Sequence, residues 1–449
     1  MGVRYAILIL SFLASFSMSA QEKISFAELD KGTFDLYQKS DWKGLKEMAN
    51  RGLDSGFDYY YIRMRLGIAY YETNRFEKAV VHFKKALEFN QNDPVALEYL
   101  YYSLYFSGRK AESVLVASEM PEATRKKIGL PGENSITSAF FEGGMVTTRQ
   151  PDSLVSFKPV GPYVYQYLLK DYMYLSGGIS KNMGPRFSIT ASVNHMRFNA
   201  LQEGTIKNPE IPFPQYFEWG HQNSQTGFYL GSEYLIKPGW TLGLAGHIIG
   251  GKFNYMRYNN QQGMGKELFT EWNIDYSDFV FFGRISRRVK TLEAGLAASL
   301  TDLGDITRFQ PGIELNWYPL GNINFYLQAN VDRIMPVEDL KDGDWVFQGL
   351  AGFKAFSKLW LEAHAALGRM TGWTEKSAYI VYNNQDPILR RMGANIIIPE
   401  IIPGLSLTFR YQLQQREHSW SIFNGDELEG TETKKYLSNS LIGGITWKF

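Results

Sequence analysis

The chain has 449 residues, enough for two or three domains, and carries 47 basic against 46 acidic residues, a balance that gives no general attraction to nucleic acid. It has no cysteine, which excludes disulfides, thiolate metal sites, cysteine nucleophiles and a lipidated N-terminal cysteine. Aromatic residues make up 15%, with 28 Tyr and 30 Phe beside 42 Gly, a composition suited to places where one end of a side chain is wet and the other apolar.

At the N-terminus Arg4 precedes an apolar run from Tyr5 to Phe16, followed by Ser17-Met18-Ser19-Ala20. Residues 1–20 therefore predict a secretory signal peptide cleaved near Ala20, too short to cross a bilayer as a helix. Beyond it no apolar run is long enough for a transmembrane helix. From 21 to about 130 the sequence reads with a 34-residue period in three segments, 26–59, 60–93 and 94–127. The middle segment carries Leu66-Gly67, Tyr70, Phe76, Ala79, Phe83 and Ala86. The small residues let paired helices approach, and the rings fill the space between pairs. Trp42, Leu45, Ala49 and Gly52 keep the pattern in the first segment, and Leu100, Gly108 and Ala117 in the third.

This spacing resembles the tetratricopeptide repeat, and the resemblance implies a short helical solenoid that binds a protein or peptide. The family's ligand-facing positions fall on Asp30, Phe34 and Tyr37, on Tyr61, Met64, Ile68 and Tyr71, and on Val95, Glu98, Tyr102 and Tyr105. The set is aromatic, which suits an apolar peptide or the faces of sugar rings. Packing of the same rings against the rest of the protein is the competing expectation.

Pro131-Gly132-Glu133-Asn134 lies in a linker, 131–135, and from 136 to 449 runs of alternating apolar and polar residues recur about every 20 residues. Short connections at 182–185, 237–239, 289–291, 319–322, 357–358 and 403–404 alternate with longer ones near 149–163, 200–222, 257–272, 333–343, 372–386 and 418–434. A tight stretch at Asp302-Leu303-Gly304-Asp305 completes the longer set. Short turns at one end and long loops at the other predict a transmembrane antiparallel β-barrel of about 14 strands, with the short turns periplasmic. The even count places the helical segment and the C-terminus at the same end, in the periplasm.

The final strand alternates Leu441, Gly443, Ile445, Trp447 and Phe449 against Ile442, Gly444, Thr446 and Lys448. It resembles the terminal strand of bacterial outer-membrane β-barrels through Gly444, Trp447 and Phe449, although Ile442 stands where that family usually has a polar residue. The resemblance implies recognition by barrel-assembly machinery and insertion among outer-membrane lipids. Fused to repeats, such a barrel is similar to exopolysaccharide exporters and to related barrels of unassigned role; those exporters carry many more repeats.

Strand parity turns His247, Glu293, Glu362, His364 and Arg410 into the lumen. Ser192 near His195 is the one arrangement that could suggest a lipid-acting hydrolase, without an identifiable oxyanion site. Six scattered His have no metal-ligand spacing, and no cofactor is expected. Asn208 to Tyr216 and Tyr379-Ile380-Val381-Tyr382 near Trp373 are expected on extracellular loops, either anchoring the outer leaflet or stacking on sugars. Three functions follow as expectations. The first is a transport or export barrel whose repeats dock a periplasmic protein or polysaccharide, the second a closed anchor presenting an interaction module for envelope assembly, the third a barrel enzyme. Inward charges along an open lumen favour the first, and an inserted loop that closes it favours the second.

Overall fold

A computed structural model describes residues 24–130, 134–149, 163–206, 215–258, 269–424 and 427–449. The expected signal peptide and the stretch 208–214 lie outside the described residues. The chain divides into two compact units, Met1–Ser103 and Leu104–Phe449.

Seven helices precede the strands among the described residues: α1 (Phe26–Gln38), α2 (Trp42–Asp54), α3 (Tyr60–Glu72), α4 (Phe76–Phe89), α5 (Pro94–Phe106), α6 (Lys110–Glu119) and α7 (Glu122–Lys127). Three consecutive pairs begin at Phe26, Tyr60 and Pro94, the spacing of the sequence period. Local chemistry sets the starts. Ser25 and Glu28 form a reciprocal capping box, Asp41 accepts from Gly44 N, and Asp93 accepts from Ala96 N beside Pro94 at the first helical position. In the first unit Leu29, Leu45, Ala49, Ile62, Leu66 and Ala69 form a fully buried core. Gly67 faces Phe83 so closely that an added Cβ would lie 2.6 Å from the ring, which is why α3 and α4 need a glycine there.

The strands are β1 (Ile136–Thr148), β2 (Tyr163–Asn182), β3 (Phe187–Ile206), β4 (Gln215–Lys237), β5 (Trp240–Tyr258), β6 (Phe269–Val289), β7 (Leu292–Leu303) and β8 (Ile306–Trp317). They continue with β9 (Phe325–Pro336), β10 (Asp344–Phe356), β11 (Leu359–Leu367), β12 (Thr374–Glu375), β13 (Ile380–Val381), β14 (Ile388–Ile402), β15 (Leu405–Asn424) and β16 (Glu427–Lys448). All but β12 and β13 join one closed antiparallel barrel of 14 strands, sealed by β1 against β16 from Ser138↔Lys448 to Thr148↔Ser438. Alternation decides the faces. On β7, Leu292, Leu296 and Leu300 are 47%, 62% and 40% exposed on the outside, while Ser299 is buried on the other face. A wall with an apolar exterior and no free edge is what a bilayer requires of β-structure. The architecture is a set of tetratricopeptide-like helices followed by a bacterial outer-membrane β-barrel. Among the described residues no helix is long and apolar enough to cross a membrane.

The wall is uneven. β2 to β6 run for 19 to 23 residues, whereas β7 to β10 run for 12 or 13 and β11 for 9. A tilted strand needs only about 9 to 11 residues to cross a bilayer, so the long strands stand well above one rim. This corrects the expected loops at 200–222, 257–272 and 418–434, much of which is strand. Beyond the lipid, outward positions are polar, so the apolar alternation that marks a membrane strand stops while the backbone ladder continues.

Candidate functional site

The lumen is occupied by the connection between β11 and β14. Within it β12 and β13 pair as a small hairpin, Thr374↔Val381 and Glu375↔Ile380, directed into the barrel. The expectation that Trp373 and Tyr379 to Tyr382 are exposed loop aromatics is therefore corrected: Trp373 is fully buried, and Tyr379 reaches β1 and β2 across the interior. Composition misled here, because an outer loop and a lumenal insertion both call for polar and aromatic side chains.

Each part of the hairpin has a specific seat. Trp373 Nε1 donates to Asp332 (3.0 Å). Gln310 accepts from Thr374 N (2.9 Å) and donates to Thr374 O (3.0 Å), its amide replacing a neighbouring strand. Glu375 accepts from Gln348 (2.7 Å) and pairs with Arg391 (2.7 Å), whose guanidinium lies 5.3 Å from the Trp373 ring centroid. Tyr379 donates to Glu142 (3.1 Å), and Asp386 accepts from Tyr436 (2.8 Å) and bonds His418 (2.9 Å). With Ser176, Gln225, His247, Asp278 and Ser299, these contacts reach twelve of the fourteen strands, so the hairpin spans the cross-section. A cavity of about 100 Å³ beside Glu142, Tyr379 and Arg410 remains.

The tip is unusual in its backbone. Lys376, Ser377 and Ala378 have φ of 52°, 56° and 63°, three successive left-handed residues without a glycine. Each costs about 1–2 kcal/mol, held by the contacts on either side.

The lumen residues expected from parity are distributed as follows. His247 Nδ1–H donates to Ala378 O (2.9 Å), which leaves Nε2 to accept from Asn194 (3.1 Å). Glu362 bonds Tyr326 and Asn395, His364 bonds Gln412 (3.2 Å), and Glu293 pairs with Arg284 (2.7 Å), which also binds Glu314. Arg410 lines the small cavity. The hairpin thus touches His247 directly. Ser192 is buried while His195 is exposed and bonds Thr226 (3.0 Å), so the two lie on opposite faces of β3 and do not form a dyad. Among the described residues no cluster of His, Asp or Glu suits a metal ion. The hairpin seats in Gln310, Asp332, Gln348 and Arg391 were not singled out by sequence; they are inward polar positions on β8, β9, β10 and β14.

In the helical unit Phe34 and Tyr61 are exposed and flank Arg65, with ring centroids 5.3 and 5.6 Å from its guanidinium. Arg65 bonds Asp30 and Thr33. Met64 is buried, Tyr37 packs on Trp42, Tyr71 packs on Phe76 and Tyr99, and Tyr102 packs on Tyr101. Tyr105 belongs to the second unit and accepts from Lys448 Nζ (3.4 Å).

In that unit the segment from Leu104 onward is seated on the short-turn end of the barrel. Ser107 O accepts from Arg288 (2.8 Å), Phe106 O from Ile323 N (3.0 Å), and Glu112 from Gly239 N (3.2 Å). Gly108, at φ 84° after α5, makes the turn against Ile323 and Tyr318. Trp447 on β16 and Phe449 just beyond its end are exposed, while Gly444 faces inward against Glu142.

His82 on α4 stacks on Tyr70 (5.2 Å) and accepts from Arg63 (3.3 Å), which also pairs with Asp58 (2.6 Å). Burial first, and the Arg63 charge second, hold its pKa at about 4. The unfolded chain binds this proton near pH 6.5, so the stability it contributes is complete above 6.5 and lost as pH falls toward 4. Helical unfolding followed at 222 nm is expected to lose about 1–2 kcal/mol of stability between pH 7 and 4.5, allowing for partial exposure, with the loss flattened in His82→Gln. An unchanged slope in that variant would assign the acid sensitivity elsewhere.

A tetratricopeptide repeat family model matches residues 60–93. A comparison with curated proteins finds no match. Among solved structures, the chain is similar to the toluene transporter TbuX of Ralstonia pickettii, at 8% identity and TM-score 0.44, covering 72% of this chain and 91% of that one. It is similar to a Pseudomonas aeruginosa FadL homologue at 11% identity and TM-score 0.41, covering 80% and 94%, and to a bacterial polysaccharide outer membrane secretin at 10% and 0.35, covering 71% and 100%. Assignment of the barrel rests on its own closure and apolar exterior.

Proposed function

We propose that this chain is an outer-membrane transport barrel kept closed by its own lumenal hairpin, with its helical repeats in the periplasm docking a protein or polymer partner. An inserted segment by itself favours the closed anchor; what carries the transport reading is how the hairpin is held, through polar contacts across the lumen and with three left-handed residues at its tip. A barrel needed only as an anchor can be narrow enough to fill with side chains; fourteen strands enclose a space that needs a separate stopper. A stopper held by hydrogen bonds can be exchanged for water at modest net cost, unlike an apolar core.

Periplasmic placement is supported by the short turns, the periplasmic feature of such barrels, since the segment from Leu104 onward contacts the barrel at that end. The exposed rings of Phe34 and Tyr61, set on either side of the buried Arg65, support docking there. Export of a polysaccharide is the finer form of this reading. It requires the hairpin to leave the lumen, whose cross-section the hairpin and its flanks span by contacts to twelve strands. The chain carries no catalysis of its own on this account.

The buried Glu375 and Arg391 pair favours a second reading, a permanently closed anchor for an interaction module. Planar-bilayer conductance separates them. Full-length protein is expected to be mostly silent, and replacement of residues 370–386 by a short Gly/Ser turn to give steady conductance at least about tenfold higher, the open lumen of a barrel wider than the filled eight-strand type. Silence in both, from folded and heat-modifiable protein, would leave the anchor. Equal steady conductance in both would remove the hairpin as the closure.

A further inference from the structure

Above the hairpin the inner face of the barrel changes chemistry. Lower positions facing the lumen are amides, hydroxyls and paired charges, but Met196, Phe198, Phe253, Ile274, Tyr167 and Tyr276 line a chamber of about 550 Å³ on the side opposite the short turns. Ile274 is 42% exposed although its neighbours in register, Tyr276 and Asp278, turn inward with it. A large apolar surface left open inside a polar lumen, away from lipid, is the informative exception to ordinary burial.

The floor and sides define what would fill it. Thr371, Gly372 and Asn383 to Asp386, the two arms of the lumenal connection, form the floor. Three of the four charged groups in the lining are engaged within the protein: Asp278 accepts from Gly304 N (3.0 Å) and Asn383 (3.4 Å), Asp386 is held by His418 and Tyr436, and Arg308 donates to Leu303 O (3.4 Å) and Ile306 O (3.3 Å); the fourth, Asp305, is exposed on the β7–β8 turn at the rim. Asn384 and Gln385 add uncharged amides to the lining. On one side the rim is Leu303 to Ile306, where the wall is only 12 residues tall. The volume falls within the range of small-molecule sites.

We propose that this chamber binds a small uncharged molecule with an aromatic or branched apolar body and a polar edge, reached over the low β7–β8 rim. The apolar body lies against Phe198, Phe253 and Ile274, and the polar edge meets the amides of the floor. Lipid is not the occupant, because the chamber is on the inner face of a closed wall. The site stands whether or not the barrel conducts.

The test is photolabelling of full-length protein in lipid nanodiscs with an adamantyl diazirine, an uncharged apolar probe, with adducts mapped by mass spectrometry. Adducts are expected on Met196, Phe198, Phe253 and Ile274, saturable and displaced by unlabelled p-cresol, besides those on lipid-facing Leu230, Ile248 and Phe281. Phe253→Gln is expected to reduce the inner adducts about tenfold, the loss of one buried aromatic contact, whereas Phe281→Gln leaves them unchanged. Adducts confined to the outer face, or inner adducts that neither saturate nor respond to Phe253→Gln, would overturn the proposal. Should Phe253→Gln fail to fold, saturation and p-cresol displacement in the natural protein still decide.

Discussion

Glu375→Gln is expected to free the lumenal hairpin. The side chains of Arg391 and Glu375 are only 1% and 9% exposed, and the guanidinium is further enclosed by the rings of Trp373 and Tyr382. Glutamine can keep the contacts with Gln348 and Tyr382, but it leaves a buried positive charge without its counter-ion. Breaking a buried pair from one side costs about 3–5 kcal/mol, set against a tip that already carries about 1–2 kcal/mol of strain at each of three residues. The chain has no cysteine, so Ser377→Cys at the tip provides a clean reporter. Maleimide labelling of that cysteine is expected to be slow in the natural background and at least about tenfold faster with Glu375→Gln, a shift of more than 1.4 kcal/mol in the opening equilibrium. Replacing both partners, Glu375→Gln with Arg391→Gln, should restore much of the protection, because no unpaired charge remains. Equal labelling rates in all three backgrounds would show that the pair does not hold the hairpin.

The second large effect belongs to the helices. Phe83 is fully buried, stacks on Tyr99 at 5.3 Å, and fills the space opposite Gly67. Phe83→Ala is expected to cost about 3–5 kcal/mol, a large share of the stability of a stack of three repeats. In the full chain, the helical signal at 222 nm should melt on the order of 15 °C lower or more, while the heat-modifiable mobility of the barrel is unchanged. A barrel lost together with the helices would show that the two units fold as one, contrary to their separate cores.

Much of the architecture was legible because it rests on periodicity. Leu292, Leu296 and Leu300 announce a lipid-facing strand, and Gly67 with Ala79, Phe83 and Ala86 announces a helix pair whose spacing the structure reproduces at Phe26, Tyr60 and Pro94. His247 and Arg410 were placed by the same parity that places every strand residue; both line the small cavity beside the hairpin. The hairpin was not legible. Its seats, such as Gln310 on β8 and Asp332 on β9, are far from Thr374 in sequence and have no period linking them to it. The upper strands were missed for a related reason. Where a wall has water on its outside, nothing in the side chains need alternate by hydropathy for the ladder to persist.

The seam between β1 and β16 has a consequence for how the barrel comes to exist. Ser138 pairs with Lys448, about 310 residues later, so the pairing that removes the last free edges is also the strand pairing of greatest sequence separation. Bringing such distant segments together carries a chain-entropy cost of about 5 kcal/mol before any bond is made, and it cannot begin until the final strand has been synthesised. The helical pairs, whose partners are neighbours in sequence, meet no such delay. Closure therefore comes last: until the 22 residues of β16 pair with β1 the sheet keeps two open edges, which a bilayer does not tolerate.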